Sequence, residues 1–299
     1  MTTPLARGLW GVLATPFDES LDVDLESLRN EVASFGEDGC GGLVALGVFG
    51  EAATLEPTEA AAVARTVAES TDLPYVLGLS ERSPEAVVAQ ALRLLCAVPR
   101  PPAALMAQIA DADLAVATDS LRRLHEETGI GVLIQDYPVV SGVSVTDEQV
   151  TALAQACAFA VGVKSETPPT SVAIAHLVPR LEVPVFGGLG GVGLLDELAA
   201  GSAGAMTGFS HPAVLASVLR AYNDGGFIAA REVFAQWLPL ANFEGQLRVG
   251  LSIRKEVLRR RGVIASGRVR PPALSLPASL VPLLDQHLAT LPVADHISR

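Results

Sequence analysis

Short apolar runs rich in Val, Leu, Ala and Gly alternate with longer stretches whose apolar residues recur at helical spacing, from the N-terminus to about residue 222. The runs at Leu9–Ala14, Gly42–Leu46, Tyr75–Leu79, Ala103–Met106, Gly131–Ile134, Val161–Lys164, Val183–Phe186 and Ala203–Met206 predict eight strands. Between them the spacing predicts helices over 24–35, 57–69, 84–96, 113–126, 146–158, 170–179, 192–200 and 211–222. Helix starts are marked by first-turn prolines, Pro57 after Glu56 and Pro84 after Ser83. Thr146 with Gln149 three residues on has the pattern of a capping box. Eight strand–helix pairs with nearly continuous apolar strands predict an α/β fold, a closed parallel (β/α)8 TIM barrel. No GxGxxG or GxxxxGK[ST] pattern follows the first strand, which counts against an open nucleotide-binding sheet. Past residue 222 the pattern is purely helical, over 226–238, 243–261 and 277–290. The expected organisation is therefore a barrel over 1–222 and a three-helix C-terminal extension over 223–299, packed as one unit.

Composition narrows the function classes. A formal net charge of −12 opposes nonspecific binding to nucleic acid or an anionic membrane. No apolar run reaches the length of a membrane span, and the start lacks a signal-peptide pattern. Cys40, Cys96 and Cys157 have no metal-like spacing and read as reduced, buried residues of a cytoplasmic protein. His125, His176, His211, His287 and His296 show no metal spacing either, and only His211 falls near a strand end. The basic run Arg259–Arg261, with Arg254 and Lys255 before it, reads as a solvated helix end.

Lysine usage is the informative anomaly. Of 21 basic residues only Lys164 and Lys255 are lysines. Lys164 closes the apolar sixth run, at the barrel end where active sites of this architecture lie. A desolvated lysine becomes a neutral nucleophile able to attack a ketone, which arginine never does. Half-neutrality at pH 7 requires its pKa to fall by about 3 units, roughly 4 kcal/mol against the cation. Glu166 lies two residues on, so the strand period puts both side chains on one face. It would move a substrate proton, or form a salt bridge that keeps the lysine charged. The other polar or permissive positions at strand ends are Thr15, Gly47 to Glu51, Gln108, Gln135 to Tyr137, Gly187 to Gly191, and Thr207. The glycines at 187–191 would let backbone N–H groups approach an anion, or simply make a tight turn. Phe49 would close a pocket or pack in the core.

Lys164 late in a sixth strand, Gly47-Val48-Phe49-Gly50-Glu51 after the second and Ala14-Thr15-Pro16-Phe17 after the first carry a resemblance, together with the Pro138…Gly142 turn. The chain resembles the dihydrodipicolinate synthase/N-acetylneuraminate lyase family of class I Schiff-base enzymes over essentially its whole length. The resemblance implies a small 2-oxo acid as substrate or product, often pyruvate, and a homo-oligomer built as a dimer of dimers. The substrate-binding positions it points to are Thr15, Gly47, Val48, Phe49, Gln135, Gly187, Gly188 and Thr207. The family's loop carries two hydroxyl residues that bind the substrate carboxylate and relay protons, where this chain has Val48 and Phe49. In its Y-N-x-P motif the tyrosine is an acid/base; aligned on Pro138, that position is Gln135, and Tyr137 stands two residues late. The synthases' arginine two residues after that proline is Val140, which argues against dihydrodipicolinate synthesis. Where an acidic residue often follows the lysine directly, Ser165 intervenes before Glu166.

The expected function is a Schiff-base lyase that dehydrates a 2-oxo-3-deoxy sugar acid or related compound, with Lys164, Glu166 and Tyr137 as catalytic residues. A carbon–carbon aldolase on the same scaffold and a non-catalytic 2-oxo or sugar acid binding protein are the alternatives. None of these needs a metal or an organic cofactor.

Overall fold

The computed structural model describes residues 2–291. His296 and the last eight positions of the expected extension lie outside the described residues. The eight expected strands form one parallel sheet: β1 (Gly8–Val12), β2 (Gly42–Ala45), β3 (Tyr75–Gly78), β4 (Ala104–Gln108), β5 (Val132–Asp136), β6 (Ala160–Ser165), β7 (Val185–Phe186) and β8 (Gly204–Thr207). From β1 to β7 each strand pairs with the next, and β1 also pairs with β8, in the order β7-β6-β5-β4-β3-β2-β1-β8. The remaining seam, between β7 and β8, is bridged at Gly187–Ala205, with Ala203 N–H donating to Val185 O at 2.7 Å and Met206 N–H to Gly187 O at 2.9 Å. The ring of strands is thereby closed.

Helices α1 (Leu25–Glu37), α2 (Pro57–Ser70), α3 (Pro84–Ala97), α4 (Leu114–Thr128), α5 (Pro138–Ser141), α6 (Asp147–Ala156), α7 (Thr170–Leu177), α8 (Leu194–Ala199) and α9 (Pro212–Phe234) follow the successive strands, α5 and α6 both lying between β5 and β6. Their starts are set by the residues read from the sequence. Thr146 and Gln149 form the reciprocal capping box, at 3.2 and 2.8 Å, and Ser83 accepts from Ala86 N–H at 3.3 Å. The expected helices 211–222 and 226–238 are instead largely one element, α9, bent at Gly226, whose φ of 72° only glycine adopts readily. The expected helix 243–261 is split into α10 (Leu238–Glu244) and α11 (Gly250–Arg260), and α12 (Val281–Ala289) completes the tail. The split falls where Arg248 takes φ 72°.

Two cores result from the strand period. Trp10, Val12, Val44, Val76, Met106, Leu133, Phe186 and Met206 fill the barrel interior, while alternate strand residues pack outward against the helices. Cys40 and Cys157 are buried there as expected, but Cys96, on the outer side of α3, is exposed. No described helix is long and apolar enough to cross a membrane.

Candidate active site

Parallel pairing aligns side chains of neighbouring strands in rows. At the C-terminal end of β4–β7 one such row runs Gln108, Gln135, Lys164, Phe186. Gln135 lies two residues beyond Leu133, which points into the barrel, so the row projects into its mouth. Lys164 is only 6% exposed. Its Nζ stands 3.3 Å from Glu166 Oε2, and Gln135 Nε2 donates to the same oxygen at 2.6 Å. The other oxygen, Oε1, accepts the Leu189 N–H at 3.3 Å. Glu166 itself is fixed by its N–H donating to Asp136 O at 2.8 Å, which extends the β5–β6 ladder past the strand end. Thus Lys164, Glu166 and Gln135 form one buried cluster. Tyr137, at the start of α5, has its phenol pushed up to about 12 by burial and then by the Glu166 charge, with Arg254 opposing. It therefore stays protonated and lies within electrostatic range of both charges.

The glycine run after β7 fits between side chains. A Cβ on Gly188 would strike the Glu166 carboxylate, with its Cδ only 2.7 Å away; one on Gly187 would strike Glu197. Burial pushes the Glu197 carboxyl up to about 7, against the hydrogen bond from Thr170 Oγ1 at 2.6 Å. Gly188→Ala is expected to displace Glu166 from Lys164 and reduce turnover by about 10²-fold or more, as loss of a positioned proton-transfer group does, while the barrel still folds. Near-normal turnover with an unchanged melting curve would show that this contact yields without consequence.

The loop after β2 departs most from its sequence reading. Val48 is exposed, and Phe49 leans on the barrel-interior cluster while its ring covers the Arg254 guanidinium at 3.6 Å. Gly47 is packed, with a Cβ there 3.3 Å from Val12 Cγ1. Thr15 lies behind the loop, donating its hydroxyl to Gly50 O at 2.6 Å. Glu51, at φ 51°, turns away from the mouth to pair with Lys255 of α11 and to accept Arg270 N–H at 2.7 Å. The second lysine is thus fully buried and also donates to Arg268 O at 2.9 Å. Beside it, burial pushes Glu31 up to about 8 although Ala14 N–H donates to it at 2.9 Å. Arg254 was expected in a solvated helix end; it is buried against Glu244 at 3.3 Å.

Not every expected position joins the cluster. Thr207 follows inward-facing Met206, and its Cγ2 lies 3.6 Å from where a Gly191 Cβ would stand, in the helix layer beside Leu215. His211 packs between Phe209 and Trp237, and burial followed by Arg261 depresses its pKa to about 3, so it is a neutral packing residue. No group of His, Cys, Asp or Glu among the described residues is arranged to hold a metal ion.

The chain is similar in sequence and fold to several known proteins. The L-2-keto-3-deoxyarabonate dehydratase of Azospirillum brasilense is 28% identical over 284 residues, covering 91% of this chain and 90% of that protein. The 4-hydroxy-tetrahydrodipicolinate synthase of Porphyromonas gingivalis is 30% identical over 171 residues, 53% of this chain and 54% of that one. Among solved structures, a dihydrodipicolinate synthase from Rhodopseudomonas palustris superposes with a TM-score of 0.88 at 28% identity, over 97% of this chain and all of the other. The model of the dihydrodipicolinate synthetase family matches residues 118–289, from α4 through α12. The chain belongs to the dihydrodipicolinate synthetase family.

Proposed function

We propose that this protein is a Schiff-base lyase that dehydrates a 2-oxo-3-deoxy sugar acid, with Lys164 as the imine-forming residue. The observation that carries the reading is the buried Lys164–Glu166 pair at 3.3 Å on the inward face of β6. The dehydratase similarity along nine-tenths of the chain supports the reaction type.

At 3.3 Å the Lys164 ammonium can hand its proton to Glu166 and attack the C2 ketone as a neutral amine. The C2 oxygen leaves as water after taking one proton from the attacking nitrogen and the other back from Glu166, which leaves the protonated imine and a free Glu166 carboxylate. Glu166 then takes a C3 proton, and the electron pair flows to the imine nitrogen to give an enamine. The enamine returns its pair as the C4 hydroxyl departs with a proton, leaving as water. Addition of water to the imine carbon releases the unsaturated product and restores the lysine. In this reading Gln135, which donates to Glu166 Oε2, steadies the base that takes the C3 proton, and the protonated Tyr137 delivers the leaving-group proton. A carbon–carbon aldolase would share the imine, and the synthase similarity over half the chain favours it as the second reading. The proposal extends to a cytoplasmic homo-oligomer, on the strength of the family resemblance and the unpaired cysteines.

Borohydride trapping with pyruvate and a series of 2-oxo-3-deoxy sugar acids, read by peptide mass, is expected to place an adduct on Lys164. Product analysis then separates loss of water from carbon–carbon cleavage. Glu166→Gln is expected to keep the adduct while turnover falls by about 10²–10⁴-fold, the range for a positioned acid/base. Full turnover in that variant would remove Glu166 from the mechanism.

A further inference from the structure

The mouth of the barrel contains a second buried cation, and its hydrogen bonding is incomplete. Arg254 is 2% exposed, and its only ion pair among the described residues is Nε to Glu244 Oε2 at 3.3 Å. Both terminal nitrogens, Nη1 and Nη2, are buried, and neither has a hydrogen-bond partner among the described residues. A guanidinium kept only to balance Glu244 would offer two parallel N–H groups to that carboxylate, the geometry in which such pairs are strongest. Here Glu244 takes one nitrogen and is otherwise held by Ser210, through its hydroxyl and its N–H at 3.1 Å. Leaving buried donors unmatched is costly, so their orientation calls for a ligand.

The surroundings fix where that edge points. Phe49 covers one face of the guanidinium at 3.6 Å. The Nη edge is bordered by two glycines: a Cβ on Gly208 would stand 2.6 Å from Nη1, and one on Gly190 would stand 3.4 Å from Nη2. Gly208 follows inward-facing Met206 by two residues, and Gly190 belongs to the loop whose Gly188 touches Glu166. Tyr137 lies within electrostatic range of both Arg254 and Glu166. The edge therefore opens into the same mouth as Lys164, between loops whose side chains have been kept away from it. An anionic substrate entering there meets Glu166. The β2 loop, with Val48 and Phe49, has no side-chain donor to hold it.

We infer that Arg254 is the substrate's carboxylate-binding residue, its Nη1 and Nη2 donating to the carboxylate of the 2-oxo acid with Phe49 as the covering wall. The inference rests on the imine reading of Lys164. It assigns specificity for a carboxylate to α11, a helix outside the ring of strands.

The test compares cyanoborohydride trapping of Lys164 by pyruvate and by its neutral amide, pyruvamide, as a function of concentration. In the wild type, half-trapping by pyruvate is expected at a concentration about 30-fold below that for the amide, the range for hydrogen bonds to a charged group. In the double variant Arg254→Met/Glu244→Gln, which leaves neither charge orphaned, the gap is expected to close to about threefold, as expected once those charged hydrogen bonds are gone. The loss should fall on the pyruvate arm, with the adduct still on Lys164 at saturation. Arg254→Lys keeps a charge for Glu244 and is expected to narrow the gap by about threefold, to about tenfold, because the two-pronged contact is lost while the charge remains. Adducts with an unchanged gap in either variant, or no gap in the wild type, would overturn the role of Arg254 and leave the imine reading intact. Absence of any adduct in the wild type would overturn both.

Discussion

Replacing Lys164 by alanine is expected to abolish trapping and to lower turnover by about 10⁴-fold or more, the scale on which removal of a covalent nucleophile acts in other enzymes. The residue is not needed for the barrel. It occupies the last inward row of β6, above an interior already filled by Leu133, Phe186 and Met206. Glu166 keeps two donors after the change, Gln135 Nε2 at 2.6 Å and Leu189 N–H at 3.3 Å. The variant should therefore fold, with a circular dichroism spectrum like the parent. Lys164→Arg separates charge from chemistry: a permanent cation preserves the pair with Glu166 but cannot form an imine. Inactivity of the arginine variant alongside normal folding would locate the effect in the amine itself. Retained turnover in both variants would dismiss covalent catalysis here.

The largest stability effect is expected at the other lysine. Lys255→Met leaves the buried Glu51 carboxylate, among the described residues, with the Arg270 N–H alone, and breaking one side of a buried pair costs about 3–5 kcal/mol. For a chain of this size the melting midpoint should fall by roughly 10 °C. Burial raises the Glu51 pKa and lowers that of Lys255, each against the attraction of its partner, so neither group is comfortable as an isolated ion. Glu51→Gln/Lys255→Met removes both charges at similar volume and should recover most of the loss. A double variant no more stable than Lys255→Met would mean that packing of the lysine stem, and not the charge pair, holds α11 to the loop.

The eight strands and most helix starts were legible because the apolar periods and the caps at Ser83 and Thr146 are local signals. Strand parity was not. Parallel strands are buried on both faces, so Ala203–Met206 shows no alternation, and nothing in it says that Thr207 faces the helices. Lys164 and Glu166 were readable from a spacing of two on a strand end. Arg254 was hidden, because its burial depends on Glu244 ten residues earlier and on Phe49 some two hundred residues away. A usable signal existed for Lys255. In a chain with nineteen arginines, the scarcity that singled out one lysine applied equally to the other. The glutamate of the Gly47–Glu51 loop turned out to be a tie to the C-terminal helices, a distinction that spacing alone does not carry.

That tie sets an order on the protein's birth. Glu51 leaves the ribosome 204 residues before the lysine that neutralises it. At about 5–20 residues per second this is a delay of roughly 10–40 s. Over that interval the remaining six strands, β3 to β8, are made, while the loop after β2 has no counter-ion and Phe49 no guanidinium to cover. The nascent barrel must keep that carboxylate in water, and the mouth can close only when α11 arrives.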